Sequence, residues 1–287
     1  MGDAAAAADC PPVLADALRE LADGAAGRGG AVGIDVRHLE RGGRFTLQAD
    51  LPFRAASTIK VAILAALYAA AFEGALRLDD RVPIRAQDQV TGSGIVQVLS
   101  PGTRLSWRDL AELMIVVSDN AATNMILERV GIDRTNALIA SLGLNVMRVV
   151  RTLQVIPAGA VGFNTASAGD LASLLEAVAR GRVVSWDACR RMIATLKRQQ
   201  INDALPALLP DPEVGGASIG AFPRWEMAHK TGGIPGHQHD CGILYLPGQT
   251  IAVAVMTAGC GAAREARALI ARVGRAVWDA YADGGPR

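Results

Sequence analysis

The stretch RAASTIKVAILAALYAAAF, residues 54–72, contains an almost uninterrupted apolar helix pattern that begins directly after a lysine. From Val61 to Phe72 the pattern is broken only by one tyrosine hydroxyl, and alanine, leucine and isoleucine all favour helix. Lysine is rare in this chain: of the 29 lysine and arginine residues, only three are lysines, namely Lys60, Lys197 and Lys230. A lysine amine can lose its proton inside a protein, whereas a guanidinium keeps it. Lys60 is therefore a candidate for proton transfer.

The composition is that of a globular chain, with 287 residues, of which 51% are hydrophobic and 20% are charged. The 29 basic and 28 acidic residues nearly cancel, and no long basic block is present. Nucleic acid is therefore not an expected partner. The longest apolar run, about a dozen residues, is too short to cross a bilayer, so no membrane partner is expected either.

The first residues, MGDAAAAADCPP, lack the basic and leucine-rich regions of a signal peptide. We therefore expect a cytoplasmic protein, and a secreted protein whose signal peptide has been removed stays open as the alternative. The four cysteines are scattered along the chain without a Cys-x-x-Cys pair. This pattern predicts free thiols in a reducing compartment.

Strand patterns lie near both ends of the chain, and helical patterns dominate from Ala55 to about Leu209. This order predicts an α/β protein of the α+β kind. One antiparallel sheet would be built from both chain ends, with flanking helices, and an all-helical domain would be inserted. We expect residues 1–50 and 215–287 to form the sheet domain. Residues 51–214 would form the helical domain, and a cleft between the two would suit a small molecule.

Ser57 and Lys60 are three residues apart at the predicted start of a helix, which places them on the same face. A neutral Lys60 amine could take the hydroxyl proton of Ser57, and burial or a neighbouring cation would favour the neutral amine. Ser-x-x-Lys alone is also compatible with a helix cap followed by a surface lysine. Further segments are needed to decide between the two interpretations.

Two such segments follow, SDN at Ser118–Asn120 and HKTGG at His229–Gly233. Ser118 can pass a proton to a leaving nitrogen, and Asn120 can hydrogen-bond a substrate amide. Lys230 adds positive charge near its neighbours. A strand with Thr231, Gly232 and Gly233 can pair with an extended substrate, and the glycines permit close approach.

The segments STIK at 57–60, SDN at 118–120 and KTG at 230–232 resemble, in this order, the class A β-lactamases and the related penicillin-binding D,D-peptidases. The resemblance covers most of the chain. It implies the β-lactamase fold and a serine hydrolase that forms an acyl-enzyme on Ser57. It also implies an oxyanion hole made by the backbone N–H groups of Ser57 and Gly233, where one lost donor typically raises the barrier by about 3–4 kcal/mol.

True class A β-lactamases carry a glutamate in the Ω-loop that activates the deacylating water. This chain departs from them in the equivalent region, RVVRTLQVIPAGAVGFNT at residues 148–165. No Asp or Glu occurs between Asp133 and Asp170, and Gln154 is the first side-chain amide of the region. A carboxamide is not a base that can activate the deacylating water. The arginine that follows the KTG strand in many class A enzymes is also missing, and GIPGHQHDCGIL stands there.

Three functions stay open from the sequence. The first is a hydrolase of a small amide or ester, such as a β-lactam or a D-amino-acid peptide. The second is an acyl transferase or esterase of small-molecule metabolism, and the third is a penicillin-binding peptidase or sensor with slow deacylation. We expect a monomer without a cofactor. The segment HQHDC at His237–Cys241 could pass for a metal site, but we interpret it as a substrate-facing or solvated loop and expect no metal. Ser93, in the loop before SDN, is a candidate substrate contact.

Overall fold

Five strands near the two ends of the chain form one antiparallel sheet in the computed structural model, which describes residues 10–153, 162–212 and 223–282. The strands are β1 (Ala31–His38), β2 (Arg44–Leu47), β7 (Glu226–Ile234), β8 (His237–Leu246) and β9 (Gln249–Ala258). Their order in the sheet is β2-β1-β9-β8-β7. The central pairing joins the two ends of the chain, with Ala31 opposite Ala258 and His38 opposite Ile251. The predicted fold class, an α+β protein with a sheet from both ends, is confirmed.

The other strands are short and pair only with one another, β3 with β6 and β4 with β5. Their bounds are β3 (Phe53–Arg54), β4 (Arg81–Pro83), β5 (Arg104–Ser106) and β6 (Thr165–Ala166). The helices of the described residues are α1 (Pro12–Ala26), α2 (Lys60–Phe72), α3 (Trp107–Val116), α4 (Asn120–Val130), α5 (Ile132–Ser141), α6 (Ala168–Ala179), α7 (Trp186–Lys197) and α8 (Ala263–Tyr281).

Both faces of the sheet are covered, because side chains alternate along each strand. In β9, the side chains of Ile251, Val253 and Val255 pack with α1 and α8 in one core. Ala252, Ala254 and Met256 point the other way and join the core of the helical part. Helices therefore cover each face of the sheet.

Helix α2 lies at the centre of the helical part and is buried from Lys60 to Ala70. A helix that is apolar on all sides is stable only when other elements surround it, and α2 contacts α3, α4, α5 and α7. Ser106 caps α3, since its side chain accepts from Asp109 N at the start of the helix. Gly131 closes α4.

One local prediction was wrong. Residues His237–Cys241 are not a loop but the first half of β8, which pairs with both β7 and β9. The turn before them is only two residues long, and Gly236 supplies the positive φ of 76° that it needs. In the part of the chain that is described, no helix is long and apolar enough to cross a membrane. The division at residues 50 and 215 stays a prediction.

Candidate active site

Ser57 lies in a 3₁₀ turn, Ala56–Ile59, between β3 and α2, so it precedes the regular helix rather than opening it. Strand β7 packs directly against this turn. A Cβ atom at Gly232 would lie 3.1 Å from the backbone nitrogens of Ser57 and Thr58, closer than most real contacts. Gly232 therefore allows the strand to approach the backbone of the serine.

Lys60 is fully buried beneath this turn. Its Nζ donates to the Ser118 carbonyl at 2.7 Å, to Asn120 Oδ1 at 2.9 Å and to Ser118 Oγ at 3.1 Å. Among the described contacts, none joins Nζ to the Ser57 hydroxyl. The amine is therefore anchored to the SDN segment, one helical turn from the serine.

The environment of Lys60 favours its neutral form. Burial lowers the pKa of Lys60 well below its ordinary value, and the charge of Lys230 lowers it further. A neutral amine has two protons and one lone pair. The Ser118 carbonyl and Asn120 Oδ1 can only accept, so they take the two protons. The lone pair is then free to accept a proton from a hydroxyl group.

Lys230 is buried on the other side of Ser118. Its Nζ donates to Ser118 Oγ at 3.1 Å and to the Thr231 carbonyl at 2.8 Å. Burial lowers the pKa of Lys230 to about 8, although Asp240 acts in the opposite direction. Ser118 Oγ thus lies between two amines and can exchange protons with either.

The backbone at Ser118 adopts a positive φ of 56°, which is uncommon outside glycine. The next residue, Asp119, holds this conformation, because its carboxylate accepts from Ala122 N at 2.9 Å, Val96 N at 2.8 Å and Ile95 N at 2.5 Å. Ser93 Oγ adds a hydrogen bond of 2.6 Å to the Ser118 carbonyl. The turn is therefore fixed by side chains from two loops.

Two clefts meet at Ser57. The larger cleft, of about 540 Å³, is lined by Ser57, Ser93, Asn120 and Gly233, among others. The smaller cleft has a volume of about 180 Å³. Its lining includes six of the residues predicted from the sequence, Ser57, Ser93, Ser118, Thr231, Gly232 and Gly233. Lys60 and Lys230 line neither cleft but contact the Ser118 hydroxyl group with their amines. The nine residues singled out in the sequence thus lie in one place.

The clefts also contain residues that the sequence did not single out. Arg267 of α8 lines the smaller cleft and pairs with Asp203 at 3.1 Å. Asn164 lines the larger cleft and accepts from the backbone nitrogens of Val150 and Arg151. Arg54 and Arg151 also line the larger cleft. No local pattern marks these positions, because only the tertiary packing brings them to the serine.

Two histidines near the site have their ring nitrogens occupied. His229 lines neither cleft and contacts Asp240 and Asn202. His239 contacts the Arg54 carbonyl and Thr257 N, and burial lowers its pKa to about 4, so the ring is neutral. Within the described ranges, no group of three or more His, Cys, Asp or Glu residues could hold a metal ion.

The fold and the comparisons define an active-site serine hydrolase of the β-lactamase type. The profile of the beta-lactamase enzyme family matches residues 13–281, so the chain belongs to this family. Beta-lactamase L2 of Stenotrophomonas maltophilia is 28% identical over 208 residues, which are 71% of this chain and 64% of that protein. Beta-lactamase Toho-1 of Escherichia coli is 27% identical over 76% of this chain and 72% of its own length.

Solved structures agree with this assignment. A beta-lactamase from Sphaerobacter thermophilus has a TM-score of 0.86 and 32% identity, with 95% of this chain and 99% of that chain covered. The structure of PBP-A has a TM-score of 0.80 and 28% identity, over 93% of this chain and 96% of that one. A mutant of PBP-A in acyl-enzyme complex with penicillin G is equally similar, with a TM-score of 0.80 and 28% identity over 96% of this chain and 100% of that one.

Proposed function

We propose that the protein forms an acyl-enzyme on Ser57 with a small amide or ester, such as a β-lactam or a D-amino-acid peptide. The observation that carries this proposal is the fully buried Lys60 amine, which contacts Ser118 and Asn120 three residues after Ser57. In the first step the Ser57 oxygen attacks the carbonyl carbon, and the lone pair of Lys60 takes the hydroxyl proton. The carbonyl oxygen becomes an oxyanion, which the backbone N–H groups of Ser57 and Gly233 stabilise.

The second step breaks the bond between the carbonyl carbon and the leaving nitrogen or oxygen. Ser118 donates its hydroxyl proton to the leaving atom and receives one from Lys60, since the two groups are 3.1 Å apart. Lys230 stabilises the negative charge that develops on Ser118 Oγ when the hydroxyl group gives up its proton. Asn120 and Ser93 contact the acyl group, while Thr231 and Gly232 contact the leaving group.

Deacylation needs a base that activates water, and the larger cleft provides none. No carboxylate lines this cleft among the described residues, and the sequence has no Asp or Glu between Asp133 and Asp170. We therefore expect the acyl-enzyme formed with a β-lactam to be long-lived. The acyl-enzyme of a PBP-A mutant with penicillin G supports the formation of such an adduct.

Intact-protein mass spectrometry tests the proposal. The protein is incubated with benzylpenicillin, and Ser57→Ala and Ser185→Ala are treated in parallel, the second as a serine variant outside the clefts. We expect one adduct per chain that persists for hours in the wild type and in Ser185→Ala, and none in Ser57→Ala. A short-lived adduct with catalytic consumption would instead mean an efficient β-lactamase. An adduct in Ser57→Ala would refute the assigned nucleophile.

The lack of a base for water also favours a second candidate, transfer of the acyl group to an acceptor other than water. An amine acceptor carries its own basic lone pair and does not require an Ω-loop carboxylate. Turnover of an ester substrate that rises with added amine would identify this function. The cytoplasmic location and the monomeric state stay predictions.

A further inference from the structure

The larger cleft is cationic, which sets it apart from a general small-molecule site. Arg54 and Arg151 line it together with Phe163 and Asn164, and none of its described lining residues is acidic. The adjoining residues 154–161 contain no Asp or Glu either. Two arginines therefore line the space beside Ser57, and no carboxylate of the described residues lines it with them.

Arg54 is held in place but has unused donors. Its guanidinium lies over the ring of Phe163, 3.6 Å from the centroid, and this stacking fixes the plane of the group. Its Nε is buried and has no hydrogen-bond partner in the described parts of the chain. A buried donor without an acceptor is costly, so a negative charge near the guanidinium would be favourable.

Arg151 is positioned by its backbone. Asn164 accepts from Arg151 N and donates to its carbonyl, both at 3.1 Å. The Arg151 guanidinium makes no ion pair with a described residue, whereas Arg37 and Arg85 each bind a carboxylate at 2.8 Å or less. The cleft thus presents a second guanidinium for a ligand.

The position of the cleft assigns it to the acyl part of the substrate. Ser118, which would protonate the leaving group, lines the smaller cleft and does not line the larger one. We propose that the larger cleft selects acyl groups that carry a carboxylate, bound by Arg54 and Arg151. This inference rests on the proposed function, because it takes Ser57 as the attacked centre. Guanidinium and carboxylate form strong, paired hydrogen bonds, which gives the selection its geometry.

Three penicillins test the inference, because they differ only in the substituent on the α carbon of the acyl side chain. They are benzylpenicillin, its α-carboxyl derivative and its α-amino derivative. Their acylation rates are measured by intact mass, and their binding to Ser57→Ala is measured by calorimetry. We expect the carboxyl derivative to exceed the amino derivative by at least about tenfold in both measurements, the ratio that one charge-assisted contact supplies.

Arg54→Gln and Arg151→Gln should each reduce the ratio between the carboxyl and the amino derivative. Arg77→Gln is the matched control, because the Arg77 side chain is 86% exposed and lies outside both clefts. Equal binding and equal rates for the three penicillins would overturn the inference and leave the proposed function intact. Charge-selective binding to Ser57→Ala without any acylation of the wild type would refute the proposed function and, with it, the assignment of the cleft to an acyl group, although the cleft would still bind carboxylates.

Discussion

At the scale of single residues, the chemistry depends on Lys60, a lysine that is fully buried in an apolar core. Burial makes an ammonium group costly and therefore favours the free amine. The sequence could predict this role, because lysine is rare here and arginine cannot lose its proton. It could not predict that Nζ binds Ser118 and Asn120, since the helix and the SDN turn are 58 residues apart in the chain.

The two lysines predict a bell-shaped pH dependence of acylation. Below the depressed pKa of Lys60 the amine is protonated, so it cannot act as a base and the rate falls. Above about pH 8, Lys230 loses its proton and its charge, so the rate falls again. The measurement is the acylation rate with benzylpenicillin as a function of pH, on both sides of pH 8. In Lys230→Arg, which keeps its charge, the alkaline decline should disappear. A wild-type rate that is constant above pH 8 would contradict this.

At the scale of elements, the site depends on the turn between α3 and α4. Asp119 caps α4 and also binds two backbone nitrogens of the loop that carries Ser93. Gly94 is required in that loop, because its φ is 112° and a Cβ there would lie 2.2 Å from Asp119 Cγ. One carboxylate therefore aligns the helix, the loop and the strained Ser118.

Replacing Asp119 by alanine should destabilise the protein by about 3 kcal/mol, because one helix cap and two further buried hydrogen bonds are lost. The measurement is urea unfolding followed by circular dichroism. Ser185→Ala is the control, since Ser185 caps α7 through a single bond to Ala188 N and should cost only about 1 kcal/mol. Equal losses in the two variants would show that Asp119 does no more than cap its helix.

The long elements could be predicted from the sequence, because their periodicity and caps are local signals. Helices α1, α2 and α8 and the three C-terminal strands all lie where apolar patterns and glycines indicate them. The two-residue strands β3 and β6 carry no such signal, since they form only when Arg54 meets Thr165 across the fold. The cationic cleft was missed for the same reason, although both arginines are visible in the sequence.

At the scale of the whole molecule, the sheet depends on contacts between its covering helices and the loops beside the site. Helix α8 packs against the 3₁₀ turn Leu205–Leu208, and Leu205 N donates to the buried Asp240 at 3.0 Å. A Cβ at Gly274 of α8 would lie 2.0 Å from the Leu205 carbonyl oxygen. The helix therefore fits only with glycine at this point.

Gly274→Ala should destabilise the protein by about 1–3 kcal/mol through overpacking, despite the better helix propensity of alanine. Gly24→Ala in α1 is the matched control, because a Cβ there meets only the end of the Arg28 side chain at 3.9 Å. This control should stabilise the protein by about 0.5–1 kcal/mol. Thermal and urea unfolding of the two variants give the comparison, and a stabilised Gly274→Ala would contradict the packing described for α8.

The most direct test of Ser57 as the nucleophile is to locate the acyl group within the labelled protein. Three serines, Ser57, Ser93 and Ser118, line the clefts, and trypsin separates them into the peptides 55–60, 86–104 and 109–129. After brief treatment with benzylpenicillin and acid quenching, we expect the added mass on peptide 55–60 alone. An acyl group on either of the other two peptides, with 55–60 unmodified, would contradict it.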